Sequence, residues 1–232
     1  MAMNPKLLRP RTSSTAAPPA PSDPFFSDVS LLLHFDGTNG STTFTDSSLN
    51  GFAVTADGTP EISTSESQFG GASCYFDGGS TLTAPQESSI VGTGDFTAEA
   101  WVFPASDPTG VYIWIANDEA GGLSSPIHTD GTVLVGRSLI EDIGQTTNSV
   151  TFGAWNHIAI TRVNSVGRIF INGEVGWEGT LSADFVSGVV RIGADDDGAY
   201  GLLQGYIDEL RLSNVARYTA NFTPPGAPFP DQ

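Results

Sequence analysis

A single cysteine, Cys74, stands among 232 residues, so no intramolecular disulfide can form and no thiolate cluster can hold zinc. Basic residues are also scarce: nine Lys and Arg against 26 Asp and Glu give a formal charge of −17. Phosphate backbones and anionic bilayers are held by clustered cations, which excludes nucleic acid and membrane surfaces as partners of the main body. No apolar run approaches the ~18 residues of a membrane-spanning helix. The opening MAMNPKLLRPRTSSTAAPPAP lacks the roughly 7–15 apolar residues of a secretory signal, which points to synthesis and assembly in a cytoplasm. Charged residues make up only 15% of the chain while glycine occurs 27 times, a composition against coiled coils and helical bundles. A chain of this length buries roughly 70% of its unfolded surface, so a core alone can hold it.

The composition changes along the chain. Residues 1–24 hold six of the fifteen prolines, no aromatic residue, and three of the nine basic residues, Lys6, Arg9 and Arg11. Only Asp23 is acidic there, which leaves six basic residues against twenty-five acidic ones for the rest. Such a segment buries too little apolar surface to fold alone, and its prolines favour an extended arm. Two readings stay open: a free tail, or an arm docking through Lys6, Arg9 and Arg11 on an acidic partner, another copy of the same body included. Residues 223–232, TPPGAPFPDQ, carry four more prolines and read as a C-terminal tail. The folded domain is then 25–222.

Within it, period-2 alternation and turn residues recur at short intervals, the pattern of an antiparallel sandwich. Leu31, Leu33 and Phe35 share one face, closed by GTNG at 37–40. Phe96, Ala98, Ala100 and Val102 alternate with Thr97, Glu99, Trp101 and Phe103 up to Pro104, and Val111, Ile113 and Ile115 alternate with Tyr112 and Trp114. Residues 155–163 and 167–172 read as a hairpin through Asn164 and Ser165, with Asn172-Gly173 marking the next turn. Residues 189–193 and 204–212 supply two more strands. No long helical pattern is present; 213–222 reads at most as one short turn. The expected fold is all-β, an antiparallel sandwich.

Three segments carry a family resemblance: DFTAEAWVFP (95–104), WNHIAITRVNSVGRIFINGE (155–174) and RIGADDDGAYGLLQGYIDELRLSNVARY (191–218). Together with LLLHFDGTNGSTTFTDSSLNG at the start of the domain, they resemble the laminin-G-like, concanavalin A-like jelly-roll family over about residues 29–222. The resemblance implies a jelly-roll β-sandwich with an extended N-terminal arm. It does not fix a function, since such folds host lectins, adhesion modules, hydrolases and inert structural domains. The arm, MxxNPxLLRPR fused to such a jelly roll, is similar to virion structural proteins of tailed bacteriophages.

The nearest enzymes of that family, glucanases, carry E-x-D-x-x-E on one strand, since a retaining pair needs carboxyls ~5 Å apart. The acidic clusters here, Glu141-Asp142, Asp195-Asp196-Asp197 and Asp208-Glu209, do not match it. On regular alternation Asp208 and Glu209 point to opposite faces and cannot act as a pair. G-x-S-x-G is absent, and His34, His128 and His157 have no catalytic motif around them; His157 reads as structural, its ring bonded to backbone or a neighbouring loop. No catalytic residue is assigned, and a hydrolase rests on fold analogy alone.

Asp208 is the most informative carboxylate. In GYIDELRL, alternation puts it in line with Tyr206, Leu210 and Leu212, so it is expected to be partly buried, and a buried charge must be paired. Its partner is an arginine, backbone amides, or a structural calcium completed by Asp36 and Asp46, where relatives with these acids hold one. Asp195, Asp196 and Asp197, before the last strand, are candidates for a sugar or ion loop, or a solvated turn. Trp101, Trp114, Trp155 and Trp177 would stack on sugars where exposed, and Cys74 reads as a small buried hydrophobe. The leading expectation is a non-enzymatic virion structural protein, a capsid decoration or fibre component assembled in the host cytoplasm. Its partners would be other virion proteins or copies of itself. The alternative is a carbohydrate-binding module for host-surface glycans, which predicts an exposed Trp or Tyr beside residues 195–197.

Overall fold

The computed structural model describes residues 22–88, 90–105, 112–117, 119–195 and 201–232. Two antiparallel sheets form a jelly-roll-like sandwich, and no α-helix occurs among the described residues. With strands numbered along the chain, the first sheet runs β13 (Glu174–Thr180), β12 (Val166–Ile171), β11 (Asn156–Val163), β6 (Phe96–Pro104), β15 (Gln204–Ser213), β4 (Ser73–Asp77) and β3 (Glu61–Ser63). Its eighth strand, β1 (Val29–Leu33), pairs with the far half of β15. The second sheet runs β10 (Glu141–Gln145), β9 (Leu134–Arg137), β8 (Leu123–Ile127), β7 (Tyr112–Asn117), β14 (Val190–Ile192), β5 (Thr81–Ala84) and β2 (Thr55–Asp57).

The alternation that marks the strands also fills the space between the sheets. Phe96, Ala98, Ala100 and Val102 of β6 point inward beside Ile158 and Ile160 of β11 and Ile169 and Ile171 of β12, all within one buried cluster. The β11–β12 hairpin turns through Asn164 (φ +49°) and Ser165 (φ +64°), the paired positive angles that a two-residue turn needs to match strand twist. Asn172-Gly173 makes the second such turn, at +52° and +80°. There the carbonyl of Phe222 occupies the space a β-carbon on Gly173 would need, so this glycine lets the C-terminal segment lie against the sheet.

On β7 the register shifts between Ile113 and Ile115, so Trp114 and Ile115 are both buried where strict alternation would separate them. Trp114 is wholly enclosed, and its indole donates to Ser125 Oγ at 2.8 Å. Arg162 is fully buried as well. It donates to the carbonyls of Gly92, Gly94 and Ala183 at 2.6–2.8 Å and lies over the rings of Phe96 and Phe185.

The segments expected to be an arm and a tail partly belong to the body. Asp23 is buried, and its amide donates to the Gln232 carbonyl at 2.8 Å. Phe26, Val29, Leu32 and Phe229 form a second, smaller core on the outer side of the first sheet. Residues 213–222, expected to hold one short turn, cross the same side without a helix.

Candidate functional site

The outer face of the eight-stranded sheet is divided in two. The half toward β1 and the far ends of β11 and β12 lies under the C-terminal segment. Tyr218 and Phe222 stack at 3.6 Å between ring centres, and Phe222 meets His157 and Phe170 edge-on. Beneath them Glu99 is fully buried and accepts Arg211 Nε and Nη2 at 2.9 and 2.7 Å and the Tyr218 hydroxyl at 2.9 Å. Asp23 accepts from Arg211 at 3.1 Å and from Arg217 at 2.8 Å. Burial pushes the Glu99 carboxyl up, but the Arg211 guanidinium and the His157 ring, 3.3 Å away, outweigh it and hold the pKa at about 2. His157 is fully buried, but its ring makes no hydrogen bond to backbone or loop among the described residues, contrary to expectation; Glu99 lies 3.3 Å away and the Tyr218 and Phe222 rings pack edge-on against it.

The other half carries a line of aromatic rings at right angles to the strands. Register places Tyr75 of β4 opposite Tyr206 of β15, and Tyr206 opposite Phe103 of β6; Trp155, just before β11, continues the line. Ring centres are 5.0 Å apart for Tyr75–Tyr206, 5.8 Å for Tyr206–Phe103 and 5.6 Å for Phe103–Trp155. All four rings are partly exposed. Glu61 of β3 stands opposite Tyr75 at one end, and Asp77 and the exposed Gln204 lie two residues from Tyr75 and Tyr206 on the same face. Burial raises the Tyr206 phenol, helped by Tyr75 and the nearby Glu66. Neighbouring rings are inclined at 44°, 84° and 66°, so ring faces and edges alternate along the row, and with its fringe of carboxylates and an amide it can grip a chain with alternating C–H and hydroxyl surfaces.

The expected alternation around Asp208 does not hold. Glu209 takes φ +51° and the β15–β6 ladder slips between Asp208 and Arg211. Ile207 and Leu210 both enter the core, and Asp208 and Glu209 fall between them on the outer side. Asp208 is therefore not in line with Leu210 and Leu212, and the two acids do not point to opposite faces. A bulge of this kind adds one residue to one strand and re-aims its side chains.

Asp208 is fully buried. Its Oδ2 accepts the amides of Gln68 and Phe69 at 2.9 and 3.0 Å, and its Oδ1 has no protein partner among the described residues. Burial, with the charges of Glu209 and Asp36, outweighs those amides and lifts the carboxyl to about 7. Glu209 accepts His34 Nδ1 at 2.9 Å and the Phe229 amide at 2.8 Å. Burial disfavours the His34 cation, but Glu209 more than offsets it and raises the imidazole's pKa. His34 and Asp36 open with residues 227–231 on a cleft of about 390 Å³.

The structure does not bring the three calcium candidates together. Asp46 is buried in its own loop, where it accepts the amides of Leu32, Ser48 and Phe52 and the Ser48 hydroxyl at 2.8–3.0 Å. Asp36 fills the space a β-carbon on Gly70 would need, close to the turn whose amides Asp208 binds. Among the described residues no group of three His, Cys, Asp or Glu side chains is arranged to hold an ion. The set Asp36, Asp46 and Asp208 thus does not fit a calcium ion, because Asp46 already spends both oxygens.

Asp195 lies elsewhere, lining a hollow of about 200 Å³ on the outer face of the second sheet with Ser124, Arg137 and Asp142. Asp196, Asp197, Lys6, Arg9 and Arg11 lie outside the described residues. Of the tryptophans, Trp114 and Trp101 are buried, Trp177 packs against the core, and Trp155 joins the aromatic row. Of the four tryptophans expected to stack on sugars where exposed, Trp155 is the one in the row. Tyr75, Phe103 and Tyr206 each sit at an outward position of a recognisable strand, yet their alignment depends on register between strands distant in the chain.

Residues 76–221 match the concanavalin A-like lectin/glucanases superfamily, in its laminin G form. No curated protein matches the chain in sequence. Among solved structures, domain 4 of a GH43 extracellular arabinanase from Geobacillus stearothermophilus, in complex with arabinotriose, is similar. It shares 21% identity at a TM-score of 0.63, covering 82% of this chain and 93% of that one. The binding domain of Paraclostridial Mosquitocidal Protein 1 shares 14% at 0.65, and that of botulinum neurotoxin serotype G shares 15% at 0.63. Of those two the chain spans about half the length, 50% and 48%. At these identities the likeness is one of fold. The sequence match spans more than half of the chain and includes Phe103, Trp155 and Tyr206 of the aromatic row and Glu99, Arg211 and Tyr218 beneath the C-terminal segment, so the chain belongs to the concanavalin A-like lectin/glucanases superfamily.

Proposed function

We propose that the protein is a non-catalytic binding module that holds a glycan on the outer face of its eight-stranded sheet. The row Trp155–Phe103–Tyr206–Tyr75 carries this reading. Steps of 5.0–5.8 Å between rings suit successive units of an extended sugar chain, whose C–H faces stack on aromatic surfaces while hydroxyls meet flanking polar groups. The fold shared with an arabinanase domain solved in complex with arabinotriose supports it. Isothermal titration with a panel of oligosaccharides tests it. Wild-type protein should bind at least one chain saturably, and Trp155→Ala with Tyr206→Ala should weaken binding more than tenfold with the melting temperature of each variant recorded alongside. No binding by wild type, or full binding by the folded double variant, overturns the reading.

A second, compatible reading is a virion structural protein attached by residues 1–21. Its support is the contrast between a basic, Pro-rich start and an acidic body, and the buried ion pairs and backbone bond of Asp23, which fix where that segment joins the body. Light scattering on proteins 1–232 and 22–232 tests self-assembly through the arm: oligomers only in the longer protein support it, and monomers in both remove it.

A further inference from the structure

We infer that the aromatic row selects neutral and amino-bearing glycans and refuses uronate, sialylated or sulfated ones. This rests on the glycan reading above and narrows its ligand class. Three carboxylates fringe one end of the row. Glu61 faces Tyr75 across β3–β4, Asp77 follows Tyr75 by two residues on the same face, and Glu66 acts on the Tyr206 phenol. The cations of the described residues are all directed elsewhere. Arg162, Arg211 and Arg217 are buried in bonds to carbonyls, Glu99 and Asp23. Arg168 pairs with Glu178 at the far end of β12, while Arg137 and Arg191 belong to the second sheet.

An acidic sugar laid on the row therefore meets like charge with no counterion at hand among the described residues, whereas a protonated amine meets opposite charge. Both effects act between partly exposed groups and are screened over a Debye length of about 8 Å in physiological salt. Specificity of this kind is a repulsive element set beside an attractive surface.

The experiment compares three oligosaccharides of equal length by isothermal titration: a glucosamine oligomer, a neutral glucan oligomer and oligogalacturonate. Each is measured at 20 and 500 mM NaCl on the full chain and on Glu61→Gln/Asp77→Asn. Expected is an order of amino over neutral over acidic, with at least tenfold between the outer two at low salt, narrowing at high salt. The double variant should lose that order, read as the ratio of each affinity to that for the neutral chain on the same protein. Oligogalacturonate bound as tightly as the neutral chain at low salt overturns the inference and leaves the glycan reading intact, as does an order unchanged in the double variant. Binding of none of the three overturns the inference, and the oligosaccharide panel above decides whether the glycan reading falls with it.

Discussion

Glu99 and Asp208 are two carboxylates on adjacent strands of one sheet, and their surroundings drive them in opposite directions. Glu99 faces a guanidinium that cannot leave; Asp208 binds amides with one oxygen, and its other oxygen has no partner among the described residues. Replacing Glu99 by Gln leaves the buried Arg211 with Asp23 as its remaining carboxylate partner, and urea unfolding should show a loss of about 3 kcal/mol, the low end for a broken buried pair. The pH dependences differ in sign. The Glu99 pKa falls on folding from about 4.5 to about 2, so its stabilisation is full above pH 4.5 and drains as pH drops toward 2. The Asp208 pKa rises on folding from 3.8 to about 7, so its contribution is full below pH 3.8 and is lost as pH climbs to 7. Asp208→Asn should therefore flatten the decline between pH 4 and 7 in denaturation midpoints while leaving the acid limb below 4.5 in place. A decline as steep in the variant as in wild type would show that another group sets it. At this scale the sequence disclosed that Asp208 is buried and needs partners. It did not disclose which partners, because one residue with positive φ, Glu209, shifts the strand by a place and no local signal announces it.

At the scale of elements, turns were the most legible feature. Asn164-Ser165 and Asn172-Gly173 have the chemistry that positive φ demands, and both turns stand where that chemistry puts them. The alternating run of β6 was equally plain. Strands β8 to β10, with Ser, Pro and Gly in their runs and few apolar residues in alternation, were not read, since their pairing rests on tertiary contacts. Nor did proline content mark the ends of the folded body. Asp23 and Phe229 lie in Pro-rich stretches yet are locked to Arg211 by charge and by ring stacking, the guanidinium standing 3.8 Å from the Phe229 ring centre. Protein 22–232 should unfold at the same midpoint as the full chain. Protein 25–232, deprived of Asp23, should lose about 1.5–3 kcal/mol in chemical denaturation, the worth of bonds to a charged group in a buried place. Equal stability of the two truncations would remove Asp23 from the account.

For the molecule as a whole, the class of fold was readable from alternation and from three motif-bearing segments, whereas the aromatic row was not. Its members come from residues 75, 103, 155 and 206, brought into line only when β4, β15 and β6 adopt their register. The same sheet that displays the row encloses Cys74, which sits on β4 one residue from Tyr75 and is wholly shielded between β3 and β15. Burial also raises its thiol pKa, so the nucleophilic thiolate is disfavoured as well as inaccessible. The native protein should thus ignore maleimides that an unfolded chain consumes at once, and the rate of alkylation becomes a clock for the opening of this sheet. A reporter cysteine placed at exposed Gln204, beside the row, would take a fluorophore at one site without removal of the native thiol.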